Sequence, residues 1–205
     1  MAETHETEAK LKIDDHTPVR EALHALDAEP IGRLLQTDTY FDSEDARLFE
    51  TGCGLRIRTV EPLGEGEVRQ STDPLVTFKG PLDPSSAVKR REEIETHCGS
   101  AEAMQRLLGV FDMQPRLIIQ KRRESFLLDD CRIELDELPN IGCFVEIEGP
   151  SESAVSAVQE KLGLGGRESI CDSYLHLAMS LCGRLGGACK TLTFDTCDNC
   201  PHAGQ

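Results

Sequence analysis

Strand after strand, this chain alternates charged with apolar side chains, and that regularity limits what it can fold into. Arg56 and Arg58 alternate with Leu55 and Ile57, and Thr77 and Lys79 with Val76 and Phe78. Arg91, Glu93 and Glu95 share one parity with Ile94 on the other, and Lys121 and Arg123 share a parity. Glu134 and Asp136 alternate with Ile133 and Leu135, and Glu146 and Glu148 with Val145 and Ile147. Residues 3–13 repeat the pattern, with Glu6, Glu8, Lys10 and Lys12 set against Thr7, Ala9, Leu11 and Ile13. A period of two sends successive side chains to opposite faces of a strand, so nearly every strand has one charged and one apolar face.

A sheet with its charged face in water and its apolar face on a core explains any one of these strands. Two features argue against it for the set. The polar face is almost purely Glu, Asp, Arg and Lys, and the chain also supplies amphipathic helices that need an apolar surface to cover. Thr17-Pro18 offers an N-cap and a first-turn proline for a helix over residues 17–28. Ser100 caps another through residue 111, and helices follow over 151–162 and 172–181. Strands are expected over 31–42, 55–60, 75–80, 89–96, 117–126, 131–137 and 144–148, with a Gly- and Glu-rich loop over 61–74 and a turn at Asn140-Ile141-Gly142. If the helices cover the apolar faces, the charged faces point inward, into the lumen of a small antiparallel β-barrel. Like charges packed so densely are costly unless ligands compensate them. Carboxylates call for a hard cation and the Arg and Lys set for an anion. A metal-bound polyphosphate satisfies both.

Composition excludes several alternatives. With 37 acidic against 22 basic residues and a formal charge of −15, nucleic acid and anionic membranes are disfavoured as partners. Aromatic residues are 4% of the chain, which argues against a base-stacking platform. No apolar run approaches the roughly 20 residues that span a bilayer. The N-terminus lacks the basic start and apolar stretch of a signal peptide, so a cytoplasmic location is expected. Most of the nine cysteines are scattered singly and read as reduced residues. Tyr40 and Tyr174 read as packing residues, and the six histidines as surface residues. The composition shift near Gly183 divides the chain into a domain over 1–183 and a Cys-rich tail over 184–205. In that tail Cys189, Cys197, Cys200 and His202 form C-x7-C-xx-C-x-H, which could supply four ligands to Zn²⁺; a disordered tail or a redox-sensitive thiol pair are the alternatives.

These residues also carry a family likeness. ETEAK (6–10), DTYFDS (38–43), GLRIRT (54–59), TFKGP (77–81), RREEIE (90–95), KRRESF (121–126), IELDELPNIGCFVEIEG (133–149) and DSYLHL (172–177) occur in this order. Together they resemble the CYTH superfamily, the triphosphate tunnel metalloenzymes, and within it the branch named for class IV adenylyl cyclases. The resemblance implies an α+β fold: an eight-stranded antiparallel barrel, or tunnel, with a charged lumen and helices packed outside. It implies Mg²⁺ or Mn²⁺ held by Glu6, Glu8, Glu146 and Glu148, with Glu134 and Asp136 as ligands or their neighbours. Lys10, Arg56, Arg58, Lys79, Arg91, Lys121 and Arg123 would hold phosphate oxygens, and Glu6, Glu8, Lys10, Lys79 and Glu146 would carry the catalysis. Hard cations take carboxylate oxygens, and Arg grips phosphate with a fork where Lys acts as a point charge.

The substrate implied is ATP, converted to cAMP and pyrophosphate. The same site could instead position water against thiamine triphosphate, inorganic triphosphate or a nucleoside triphosphate, or bind a nucleotide or polyphosphate without turnover. The resemblance allows a homodimer, which no pattern in the chain supports by itself.

Overall fold

The structure, a computed structural model, describes residues 7–64, 68–81, 92–184 and 190–197. Glu6 and Arg91, and Cys189, Cys200 and His202 of the tail, lie outside the described residues. The elements are β1 (Thr7–Ile13), α1 (Thr17–Ala25), β2 (Glu29–Asp42), α2 (Arg47–Glu50), β3 (Gly54–Pro62), β4 (Leu75–Lys79), β5 (Glu93–His97) and α3 (Ala101–Val110). There follow β6 (Gln114–Leu128), β7 (Cys131–Leu138), β8 (Gly142–Gly149), α4 (Glu152–Lys161), α5 (Tyr174–Arg184), β9 (Thr191–Leu192) and α6 (Phe194–Cys197). Eight strands follow the order β1-β8-β7-β6-β2-β3-β4-β5, and the short β9 lies beside β6. The β1–β8, β8–β7, β7–β6, β3–β4 and β4–β5 ladders are antiparallel, while β9 runs parallel to β6.

The chain divides into two compact units, one of Met1–Leu35, Pro62–Gln70 and Lys121–Leu181, the other of Gln36–Glu61, Ser71–Gln120 and Cys182–Gln205. In the first, the apolar faces of β1, β7 and β8 meet two helices. Leu11, Ile133, Leu135, Val145 and Ile147 pack with Val19 and Leu23 of α1 and with Val155 and Val158 of α4. Burying one such aliphatic side chain is worth about 1.5–3 kcal/mol. At Gly149 a Cβ would stand 2.6 Å from the Cys131 sulfur and 3.2 Å from a Val155 methyl, so glycine is what lets α4 come this close to β8. Asn140, with φ of 57°, and Gly142, with φ of 110°, make the expected turn between β7 and β8.

In the second unit Phe41 and Ile57 are buried, whereas α3 contributes no buried residue and β5 is exposed throughout. The tail adds to the fold here. Ile118 N–H donates to the Lys190 carbonyl at 2.9 Å, the Phe194 N–H donates to the Gln120 side chain at 3.1 Å, and Leu192 is buried. Cys197 closes α6.

Three local expectations are corrected. Helix α1 starts after His16 rather than after Thr17, because the Asp15 carboxylate accepts from the Thr17 N–H and hydroxyl, both at 3.1 Å. His16 is not a surface residue; it is buried, with Nε2 3.1 Å from the Phe144 carbonyl oxygen. Lys12, expected to face inward with Lys10, is exposed. Ser100 and Ser151 do cap α3 and α4, each accepting from a backbone N–H three residues on.

The helix-covered face predicts a steep contrast in stability. Ile133→Ala opens a cavity in a fully buried position and is expected to cost about 2–5 kcal/mol. Leu107→Ala, on the exposed side of α3, is expected to stay within about 0.5 kcal/mol of wild type. Urea denaturation of the two variants checks this.

Candidate active site

In the first unit the strand register sets charged side chains side by side, of opposite sign in some pairs and of like sign in others. Lys10 lies across from Glu146, and Glu146 across from Glu134. Glu8 lies across from Glu148, Glu148 from Arg132, and Asp136 from Arg123. Side chains directly opposite on one face interact, so an inward charged face becomes a network. Arg123 is its hub. Its Nε donates to Asp136 Oδ1 at 2.6 Å and an Nη donates to Glu146 Oε2 at 2.5 Å, while it also pairs with Glu134 and the second Asp136 oxygen. Lys121 Nζ donates to Asp136 Oδ2 at 3.2 Å, and Lys10 Nζ sits 3.1 Å from Glu146 Oε1 and 3.7 Å from Glu8 Oε1. Side-chain exposure is 0% for Asp136, 5% for Lys121, 9% for Arg123 and 12% for Glu146, so this charged face is not in water.

Burial by itself would raise the carboxyl pKa values here. For Asp136 and Glu146 the charges of Arg123 and Lys121 outweigh it and hold both below the usual carboxylate range. Burial also opposes the Arg123 cation, and the charges of Asp136, Glu134 and Glu146 more than offset it. Glu8 moves the other way, raised by partial burial and then by the neighbouring Glu146 charge. Two carboxyls that crowd each other in this way suit a hard divalent cation, and Glu148 stands across from Glu8 to add a third. Carboxylate oxygens are the donors that hard divalent cations such as Mg²⁺ or Mn²⁺ take. Among the described residues no group of three or more His, Cys, Asp or Glu is gathered closely enough to hold a metal, since Glu134, Asp136 and Glu146 turn to Arg123.

In the second unit Asp38 of β2 organises the arginines. Arg58 grips it with a fork, Nε at 2.6 Å and an Nη at 2.8 Å, and Arg56 Nη1 reaches it at 3.3 Å. Burial penalises the Arg56 cation, and the Asp38 charge, with Tyr40 and Glu95, more than offsets that penalty. The Arg56 Nε is nonetheless buried with no hydrogen-bond partner. Tyr40 is buried beside this pair, its pKa raised by burial and by Asp38. Lys79 pairs with Glu93 at 2.7 Å, and the buried Thr77 hydroxyl donates to Glu95 at 2.8 Å.

The structure thus gathers Lys10, Lys121, Arg123, Glu134, Asp136 and Glu146 in one unit, with Glu8 and Glu148 adjoining, and Arg56 and Arg58 in the other. Two participants escaped the sequence reading. Asp38 was passed over because β2 carries no Glu, Arg or Lys row. Its signal is an alternation of Gln36, Asp38, Tyr40 and Asp42, all buried. Tyr174, read as a packing residue, has Lys10 Nζ 4.4 Å and Lys121 Nζ 4.8 Å from its ring centroid.

The antiparallel strands thus bury interleaved cations and carboxylates. Comparison with known proteins shows the family. It belongs to the CYTH domain family, whose match spans residues 4–171. A Methanocaldococcus jannaschii protein named provisionally as an adenylate cyclase is 34% identical over 160 residues, 76% of this chain and 81% of that protein. A solved Pyrococcus horikoshii structure superposes with a TM-score of 0.67 at 25% identity, covering 86% of this chain and 99% of the other. A Hippeastrum protein, provisionally an adenylyl cyclase and described as having a dominant triphosphatase activity, superposes with a TM-score of 0.62 at 18% identity, over 86% and 96% of the two chains. The relatives thus include proteins named for cyclase and for triphosphatase chemistry, and the fold is the CYTH fold.

Two outcomes follow from the charge networks. Asp38→Ala strands two buried guanidinium groups and is expected to cost about 3–5 kcal/mol in denaturant unfolding. Asp136 and Glu146 are deprotonated in the fold at pH values where the unfolded chain, titrating near about 4, takes up protons. Their stabilisation is present above that range and lost as pH falls through it. The melting temperature should drop between pH 5 and pH 3 (roughly the span of unperturbed carboxylates), and a flat profile would contradict the network.

Proposed function

We propose that the protein is a metal-dependent enzyme acting on a triphosphate, and that its reaction is the cyclisation of ATP to cAMP and pyrophosphate. The observation that carries the proposal is the burial of cationic side chains on strands together with acidic partners, Lys121 and Arg123 against Asp136 above all. Buried charges of this density serve a charged ligand better than they serve stability. Lys10, Lys121 and Arg123 of the first unit, and Arg56, Arg58 and Lys79 of the second, are the phosphate-binding residues of this reading. The unpartnered Arg56 Nε supports it, being a buried donor in need of an acceptor. Arg91 joins them from the family motif. Glu6, Glu8, Glu134, Asp136, Glu146 and Glu148 are the residues that would hold Mg²⁺ or Mn²⁺.

In the cyclisation, the ribose 3′-hydroxyl gives up its proton to solvent as its oxygen forms a bond to the α-phosphorus, while the bond from that phosphorus to the pyrophosphate oxygen breaks and pyrophosphate leaves with that electron pair. Such a transfer needs positioning and charge neutralisation more than covalent help. Lys10 and Lys121 neutralise non-bridging oxygens as point charges, and the arginines fix the phosphates with paired donors. Lys79 meets the departing pyrophosphate. A divalent metal held by Glu8, Glu146 and Glu148 would supply Lewis-acid polarisation of the phosphates. A second reading, hydrolysis of the terminal phosphate of ATP, thiamine triphosphate or inorganic triphosphate, is favoured by the activity described for the Hippeastrum relative.

We propose a cytoplasmic location, which the free thiols of Cys53, Cys98, Cys131 and Cys143 support. No helix among the described residues is long and apolar enough to cross a membrane.

Incubation with ATP and Mg²⁺ or Mn²⁺, with products separated by chromatography, tests the reading. cAMP with pyrophosphate is expected; ADP with phosphate, or phosphate released from the other two triphosphates, would move the assignment to hydrolysis. Lys121→Ala should lower turnover about 10²-fold in either case. Binding without turnover of any of the three substrates would leave a non-catalytic triphosphate-binding module.

A further inference from the structure

Residues 167–174 are laced onto β1 at the residue this reading depends on. Ile170 N–H donates to the Lys10 carbonyl at 2.7 Å, Lys10 N–H donates to Ser169 Oγ at 3.2 Å, and Arg167 donates to the Lys12 carbonyl at 3.4 Å. Lys10 Nζ also donates to the Asp172 carbonyl at 3.3 Å. One turn of chain later Tyr174 opens α5, and its ring meets Phe144 edge-on at 5.3 Å between centroids. Both ammonium groups of the candidate site lie on this ring, Lys10 Nζ at 4.4 Å and Lys121 Nζ at 4.8 Å from its centroid. The hydroxyl is buried beside Asp136 and Glu146. A phenol is neutral at neutral pH, and the π electrons of this ring face two cations.

Lys10 and Lys121 each have a carboxylate partner, Glu146 and Asp136, and among the described residues this ring is the one group that both ammonium groups share as a cation–π contact. Attraction to the ring quadrupole acts on both at once and narrows where each ammonium can stand. We propose that Tyr174 is a positioning residue of the triphosphate site, its ring holding the Lys10 and Lys121 ammonium groups at the spacing that receives phosphate oxygens. The proposal rests on the reading that these lysines bind triphosphate. The ring does the positioning.

Titration calorimetry with inorganic triphosphate and Mg²⁺ separates the two claims. Wild type that fails to bind refutes the triphosphate reading itself. If wild type binds, Tyr174→Leu should weaken binding about tenfold, and Tyr174→Phe, which keeps the ring, should restore it to within about threefold. Equal affinity for the wild type and the leucine variant would overturn the proposal. A measurement on the wild type covers the case in which the leucine variant does not fold. The ε-methylene protons of Lys10 and Lys121 should show ring-current upfield shifts by NMR that persist when triphosphate is added; resonances at ordinary lysine positions would overturn it.

Discussion

The first unit is organised around one guanidinium. Arg123 is buried, and Asp136, Glu134 and Glu146 all turn to it, while Lys121 and Lys10 complete the set against Asp136 and Glu146. The heart of the cluster is three cations against three carboxylates, so it is neutral before any ligand arrives. That balance lets a dense charged face be buried at all. It also constrains the ligand. A triphosphate alone would tip a neutral cluster strongly negative, whereas a triphosphate with divalent metal arrives closer to neutrality. On the proposed function, metal dependence and phosphate recognition would both follow from this one electrostatic condition.

The same condition separates scaffold from site. Faces that carry Leu11, Ile133, Leu135, Val145 and Ile147 are covered by α1 and α4 and supply the apolar burial. Their alternate neighbours carry the charges. A one-residue slip of β7 would exchange the two sets, placing Asp136 among aliphatic side chains and Ile133 among carboxylates, so register is heavily specified here. Gly149 contributes by letting α4 seat closely on the sheet, which keeps the apolar side dry while leaving the charged side for chemistry.

How much of this was legible beforehand depended on periodicity. Strands with strict alternation of Glu, Asp, Arg or Lys with aliphatic residues, β7 and β8 above all, were readable with their faces. So was the inference that the charged faces of β6 and β7 are buried, because nearly pure charge combined with helices in need of cover has few other solutions; β5 departs from it, with Glu93 and Glu95 exposed. Asp38 was missed because its row is Gln, Asp, Tyr and Asp, a polar alternation without cations. Tyr174 was missed because nothing in a sequence tells a packing tyrosine from one set against two lysines brought from β1 and β6. His16 was misread since its partner, the Phe144 carbonyl, is far away in the chain. The Thr17 cap failed for a local reason: Asp15, two residues earlier, is the better acceptor.

The account stands on the claim that the neutral cluster around Arg123 opens to take metal and triphosphate together. A crystal structure grown with inorganic triphosphate and Mn²⁺, with manganese located by its anomalous signal, addresses that claim most directly. It should show phosphate oxygens on the Lys10 and Lys121 ammonium groups and manganese against Glu8 and Glu146, with Arg123 drawn away from at least one carboxylate. Triphosphate and manganese lodged elsewhere, with Arg123 still holding Glu134, Asp136 and Glu146, would contradict it.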